Sequence, residues 1–188
     1  MKPDPILDST GVEKQGISPM TEPREHLVDW LVDAHAMAQQ AEQQLTAQAR
    51  RIEHYPRLKA RLEQHIEETV GQRRLLEARI VALGATPSRL KDALGRVAAL
   101  GQALGGLLAT DEVVKGALAS YAFEHLEIAA HTALMAAART VGDLETQRIC
   151  GQILAQDTAM AQWLGDHLAE LTEEFLVRGA TPGVEARK

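Results

Sequence analysis

The chemistry this chain could carry is concentrated on one helical face. Glu124, Glu127 and His131 follow one another at steps of three and four, which aligns them along one side of a helix. Val113, Ala117, Ser120, Leu134, Ala138 and Val141 continue the same face, so it is the face that has to turn into a core. An ionised carboxylate buried without a partner costs several kcal/mol, so two of them beside an imidazole demand a cation, a proton or hydrogen-bond donors. Two arrangements meet that demand. One is a carboxylate/histidine metal centre between four helices, of the kind that holds two irons or manganeses. The other is a metal-free polar layer, with Glu124 and Glu127 bonded to His65, His131, Thr69, Gln156 and arginine side chains.

Residues at matching depth elsewhere extend the candidate set. A second stripe, Leu58, Leu62, His65, Thr69, Gln72, Leu76, Ile80 and Leu83, carries His65 on its face with Glu68 beside it. A third, Ile149, Ile153, Gln156, Met160 and Trp163, has Asp157 next to Gln156. A fourth has Ala38 at its middle, with His35 and Glu42 about one turn to either side. The candidate ligands are therefore Glu127, Glu124, Glu68, His65, His131, Asp157, Glu42 and His35. The Glu-x-x-His pair that di-metal bundles place on a helix is missing where it would be expected: Val70 follows Glu67 and Met160 follows Asp157 at that spacing.

These stripes need long helices to display them, and the composition supplies helix formers. The chain has 188 residues, 45% hydrophobic and only 3% aromatic. Ala, Leu, Glu, Gln and Arg dominate, and no segment alternates at period two, so the expected fold class is all-α. That length can bury a core without covalent staples. The single cysteine, Cys150, excludes an intrachain disulfide and a cysteine zinc site, and reads as a small buried residue. No apolar run approaches the ~20 residues of a membrane span. Residues 1–20 carry charges and no apolar block, unlike a secretory signal, which makes the cytoplasm the expected location. A net charge of -6, with basic pairs only at Arg50-Arg51 and Arg73-Arg74, argues against a nucleic-acid partner.

Punctuation divides the chain. Residues 1–20 read as a flexible tail. A first long helix is expected from Thr21 to about His54, with the stripe Leu27, Leu31, Ala34, Ala38, Ala41, Leu45, Gln48, Ile52. A second begins at Pro56 and stops at Gly84. A weaker helix over about 89–104 sits inside a long connection. A third long helix runs from a Thr110 cap to Val141. Gly142 stops it, and Asp143 caps a fourth that reaches about His167. A short last helix to Arg178 and a tail from Gly179 follow. Short, long, short connections are the order of a bundle with a central crossover.

Several segments also carry a family resemblance: residues 31–42 (LVDAHAMAQQAE), 63–72 (EQHIEETVGQ), 111–116 (DEVVKG), 120–131 (SYAFEHLEIAAH) and 159–164 (AMAQWL). Together, over about residues 20–178, they resemble the YciE/YciF family of bacterial ferritin-like stress proteins. The resemblance implies a ferritin-like four-helix bundle over 21–178, a homodimer and a role in stress, with a presumed di-metal site. The chain departs from the family pattern where Ala38 stands in place of a Glu, where Gln156-Asp157 replaces a Glu pair, and where His131 replaces a frequent Tyr. His65, Glu68, Glu124 and Glu127 keep it.

Three functions follow as expectations. The first is a stress-associated bundle with a reduced or empty di-metal site. The second is a di-iron or di-manganese oxidoreductase in which Glu42, His35 or His131 replaces the lost ligands. The third is a dimeric interaction scaffold docking through an Ala-rich face, as the alanines at 129, 130, 133, 136 and 137 would form, or through a Trp-bearing face.

Overall fold

A computed structural model describes residues 22–85 and 112–186. The expected N-terminal tail, the Thr110 cap and the crossover helix over 89–104 lie outside the described residues. Among the described residues four helices form: α1 (Pro23–Arg51), α2 (Pro56–Ala82), α3 (Glu112–Thr140) and α4 (Leu144–Ala180). Pro23 and Pro56 start α1 and α2, where a missing N–H costs nothing and the fixed φ is already helical. Gly84 and Gly142 terminate α2 and α3 at φ +80° and +72°, a left-handed conformation that a side chain resists. At both ends the amide after the glycine reaches back five residues, Ala85 to Ile80 at 3.2 Å and Asp143 to Ala138 at 2.8 Å, closing the orphaned carbonyls.

Pairings between helices fix their polarity. At one end Arg79 of α2 holds Asp143, at the start of α4, at 2.6 Å. At the other end Arg57 of α2 holds Glu170 of α4 at 2.6 Å, so these helices are antiparallel. Ser120, early in α3, donates to Gln48, late in α1, at 3.0 Å, which makes that pair antiparallel too. Hence α2 and α3 run parallel, and α3 begins at the end opposite to where α2 finishes. That polarity is the one the short–long–short loop order implies.

The stripes read from sequence become the core, with Leu27, Leu31, Leu58, Leu62, Leu76, Ile80, Leu134 and Ile153 fully buried. Two differences from the expected layout have physical causes. The fourth helix does not break near His167 but continues to Ala180 as one 37-residue helix. No proline interrupts it, and Leu164, Leu168, Leu171 and Phe175 prolong its apolar face against the core. Its buried face is also rotated by one residue: Asp157 and Leu164 are buried, while Gln156 and Trp163 are half-buried. Trp30 is 44% exposed within the chain. Beyond α4, the segment to Ala186 turns back to the α1–α2 turn. Tyr55 donates to the Ala186 carbonyl at 2.8 Å, and Arg178 lies over the Tyr55 ring.

Asp143 joins three of these elements. It caps α4 by accepting from the Thr146 amide at 2.9 Å and hydroxyl at 2.6 Å, while holding Arg79. Burial alone would raise its carboxyl, but the bonds from Arg79 and Thr146 outweigh it and hold it below the ordinary aspartate value. Asp143→Ala is expected to cost about 1–2 kcal/mol at neutral pH. Because the folded carboxyl titrates lower than the unfolded one, its contribution is present above the unfolded value and is lost as pH falls through the folded one. Urea titrations of wild type and variant should therefore differ clearly near pH 7, and converge at acid pH.

Candidate metal centre

Three helices bring polar side chains into one layer of the core. From α2 come His65, Thr69 and Gln72; from α3 come Glu124, Glu127 and His131; from α4 comes Asp157. All are buried. Their placement follows from the seam spacing, because each lies a helical step from apolar residues that must face inward.

The imidazole of His65 stands between two carboxylates. Its Nδ1 is 2.7 Å from Glu68 Oε2 and its Nε2 is 3.1 Å from Glu124 Oε1. The second contact is within ion-pair reach but off the line of a hydrogen bond, so Nε2 is left without a hydrogen-bond partner. His131 is set by its own helix, with Nδ1 2.9 Å from the Glu127 carbonyl oxygen and 3.4 Å from Asp157 Oδ2. Gln72 donates to Asp157 Oδ1 at 2.8 Å. Five buried polar atoms of this layer then have no hydrogen-bond partner: His65 Nε2, Glu124 Oε2, Glu127 Oε1, His131 Nε2 and Asp157 Oδ2. Such atoms are rare in folded proteins, and here they gather in one place.

Charge accounts for the rest. Burial pushes the Glu127 carboxyl well above its usual range, and the charges of Glu124 and Asp157 push it further. Burial also raises Glu124, against the opposing pull of His65. Burial would lower His65, but Glu124, Glu68 and Asp157 outweigh it and raise it. The layer thus attracts positive charge, as protons or as an ion. His65, Glu124 and Asp157 each offer a ligand atom, and these atoms lie within 4.8 Å of one another. Imidazole nitrogen with carboxylate oxygen is a donor set suited to iron or manganese. The residues present fit such an ion.

Other candidates stand apart from this cluster. Glu42 pairs with Arg73 at 2.9 Å on the α1–α2 surface. His35 is buried, and burial lowers its pKa; its charged neighbours are Glu77 and Arg73, with none of the layer's carboxylates among them. Glu68 sits on the outer side of His65, also reached by Gln64 at 2.8 Å and Arg61 at 3.5 Å. On α1, Ala34, Ala38 and Ala41 are buried and no carboxylate is. The partner of Asp157, Gln72, was visible in the sequence only as a polar residue on a buried stripe.

Residues 22–177 match the family model described as Domain of unknown function (DUF892). A solved protein from Xanthomonas campestris pv. campestris is 42% identical, at a TM-score of 0.71, over 85% of this chain and 100% of that one. The Escherichia coli stress protein YciF is 19% identical at a TM-score of 0.69, over 82% of this chain and 99% of its own. A dodecameric thioferritin related to bacterioferritin, from Bacteroides fragilis, is 19% identical at a TM-score of 0.63, over 80% and 88%. The last two likenesses concern the fold, an all-α ferritin-like bundle.

The protonation pattern predicts how the metal-free protein responds to pH. For Glu124 and Glu127 the folded pKa is raised, so a penalty absent below the unfolded carboxyl value grows as pH rises toward the folded one. For His65, also raised, the contribution is full below the unfolded imidazole value, about 6.5, and is lost as pH climbs through the folded one. Glu68, held low by His65, Gln64 and Arg61 against its burial, contributes fully above its unfolded carboxyl value and loses that contribution only at acid pH, below the range compared. Chelator-treated protein should therefore melt at lower temperature near pH 8 than near pH 5.5, as scanning calorimetry would record.

Proposed function

The chain belongs to the DUF892 family, the YciE/YciF-type ferritin-like bundles, and from that premise we propose that it is a stress-associated bundle with a reduced metal site. One iron or manganese ion is held by His65, Glu124 and Asp157, with Glu127 and His131 completing the layer. The observation that carries this reading is the mutual approach of three buried ligand atoms within 4.8 Å, while α1 buries Ala38 and no carboxylate. A second ion would need further carboxylates, and Glu42 is engaged by Arg73; this favours the reduced site over a working di-metal oxidoreductase. A bound ion would supply positive charge and a one-electron couple inside a dry core. The protein's own groups hold it, and the apolar shell keeps water away. No described helix is long and apolar enough to cross a membrane, and a cytoplasmic location is part of the proposal.

A homodimer is the assembly we favour. The outer face of α3 exposes Ala129, Ala133 and Ala136, and Leu118 on the same helix is 47% exposed. Small side chains let a second helix approach closely, and two-fold dimers are the commonest closed assembly.

Metal analysis of protein purified without chelator should find about one ion per chain. Two per chain would support the oxidoreductase, and none would leave a polar layer that only sets bundle register. Glu127→Gln should leave the metal-free protein equally or more stable, since an amide relieves a buried like charge, while the loaded protein should lose its ion to a chelator more readily. Light scattering at micromolar concentration should report twice the 20.5 kDa chain mass; a monomer there would contradict the dimer.

A further inference from the structure

Glu68 lies on the wrong side of His65 to be a ligand. Its Oε2 is 2.7 Å from Nδ1, whereas the layer lies beyond Nε2, which is 3.1 Å from Glu124 Oε1. A carboxylate can only accept from that Nδ1, so Nδ1 carries the hydrogen. Glu68 is also the one carboxylate around His65 that reaches solvent: its side chain is 20% exposed, against 1% for Glu124. Gln64 donates to its other oxygen at 2.8 Å, and Arg61 stands 3.5 Å from Oε2. The carboxylate is therefore held from three directions and has little freedom to swing inward. Once Nδ1 bears a hydrogen, the Nε2 lone pair is free for an ion shared with Glu124 and Asp157. His131 repeats the device with a backbone acceptor: its Nδ1 faces the Glu127 carbonyl at 2.9 Å, and its Nε2 has no hydrogen-bond partner.

Building on the single-ion reading above, we propose that Glu68 is a positioning residue that accepts the Nδ1 hydrogen of His65 and so presents Nε2 to the ion. It acts through the imidazole and does not touch the metal. The spacing His-x-x-Glu on α2 reverses the Glu-x-x-His order of di-metal helices. An acceptor behind a ligating histidine fixes ring orientation and raises its basicity, and removing one typically weakens metal binding 10–100-fold.

The test uses Co(II) as a spectroscopic ion with the full chain. For Glu68→Ala the proposal expects unchanged stoichiometry, an unchanged Co(II) absorption band and affinity weaker by about 10–100-fold. Glu68→Gln keeps an oxygen acceptor for Nδ1, so it should recover part of that loss. Asp157→Asn, which alters a ligand, should change the band itself. If Glu68→Ala shifts the band as Asp157→Asn does, Glu68 is a ligand and the proposal falls; it falls equally if the affinity is unchanged. Failure of the metal reading has a separate signature, since wild type would then give no Co(II) band at all. The hydrogen bond itself is read in metal-free protein as a downfield His65 Nδ1–H resonance in 15N-labelled samples. Its presence in wild type and loss in Glu68→Ala supports the positioning role, and its persistence in Glu68→Ala overturns it.

Discussion

The constraint on which this bundle depends is the burial of charge in its middle. Glu124, Glu127 and Asp157 are each about 99% buried or more, close enough that the charges of Glu124 and Asp157 raise Glu127. Nothing apolar can offset three desolvated carboxyl groups; a cation, a proton or hydrogen-bond donors can. His65, raised by the carboxylates around it, supplies some of that compensation, and the unpartnered atoms of the layer show where the balance is still open. The rest of the core reads as a frame for this layer. Leucine and isoleucine seams above and below hold four helices in register, so the polar groups meet at one depth.

Register is defended at both ends. Asp143 ties the start of α4 to the end of α2 through Arg79, and Gln48 of α1 meets Ser120 of α3 at the other end. Gly116 leaves room for the Gln48 side chain, since a Cβ there would lie 2.5 Å from its amide nitrogen. A slip of one residue along α3 or α4 would carry a carboxylate from the layer into apolar surroundings, which links the end contacts to the central chemistry. The layer is also lopsided. Its polar groups come from α2, α3 and α4, while α1 buries alanines and no carboxylate, so charge is concentrated on three sides.

Histidine environment shows how finely local structure sets chemistry. His167 directs Nδ1 to the Trp163 carbonyl at 2.8 Å and meets Arg57 through Nε2 at 2.9 Å. Arginine only donates, so Nε2 accepts in that contact and both ring nitrogens are occupied. His65 and His131 also engage Nδ1 with an oxygen acceptor, but their buried Nε2 atoms have no hydrogen-bond partner, and that of His65 lies 3.1 Å from Glu124. The same side chain is a closed surface contact in one place and an open donor in another.

Much of this was legible in the sequence. Heptad-like spacing determines that Leu27, Leu58, Glu124, Glu127 and His131 face inward, because a helix fixes which residues share a side. Glycine at 84 and 142 and proline at 23 and 56 determine where helices begin and end, because those residues restrict the backbone itself. The charged triad on α3 was visible for the same reason. Tertiary structure decided what depends on rotation and reach between helices. It chose Asp157 over Gln156 for the core, a difference of one residue that periodicity with a 3.6-residue turn cannot resolve. It turned Glu68 behind His65 and gave Glu42 to Arg73, since a long side chain can point either way from the same backbone position and only its neighbours fix the choice.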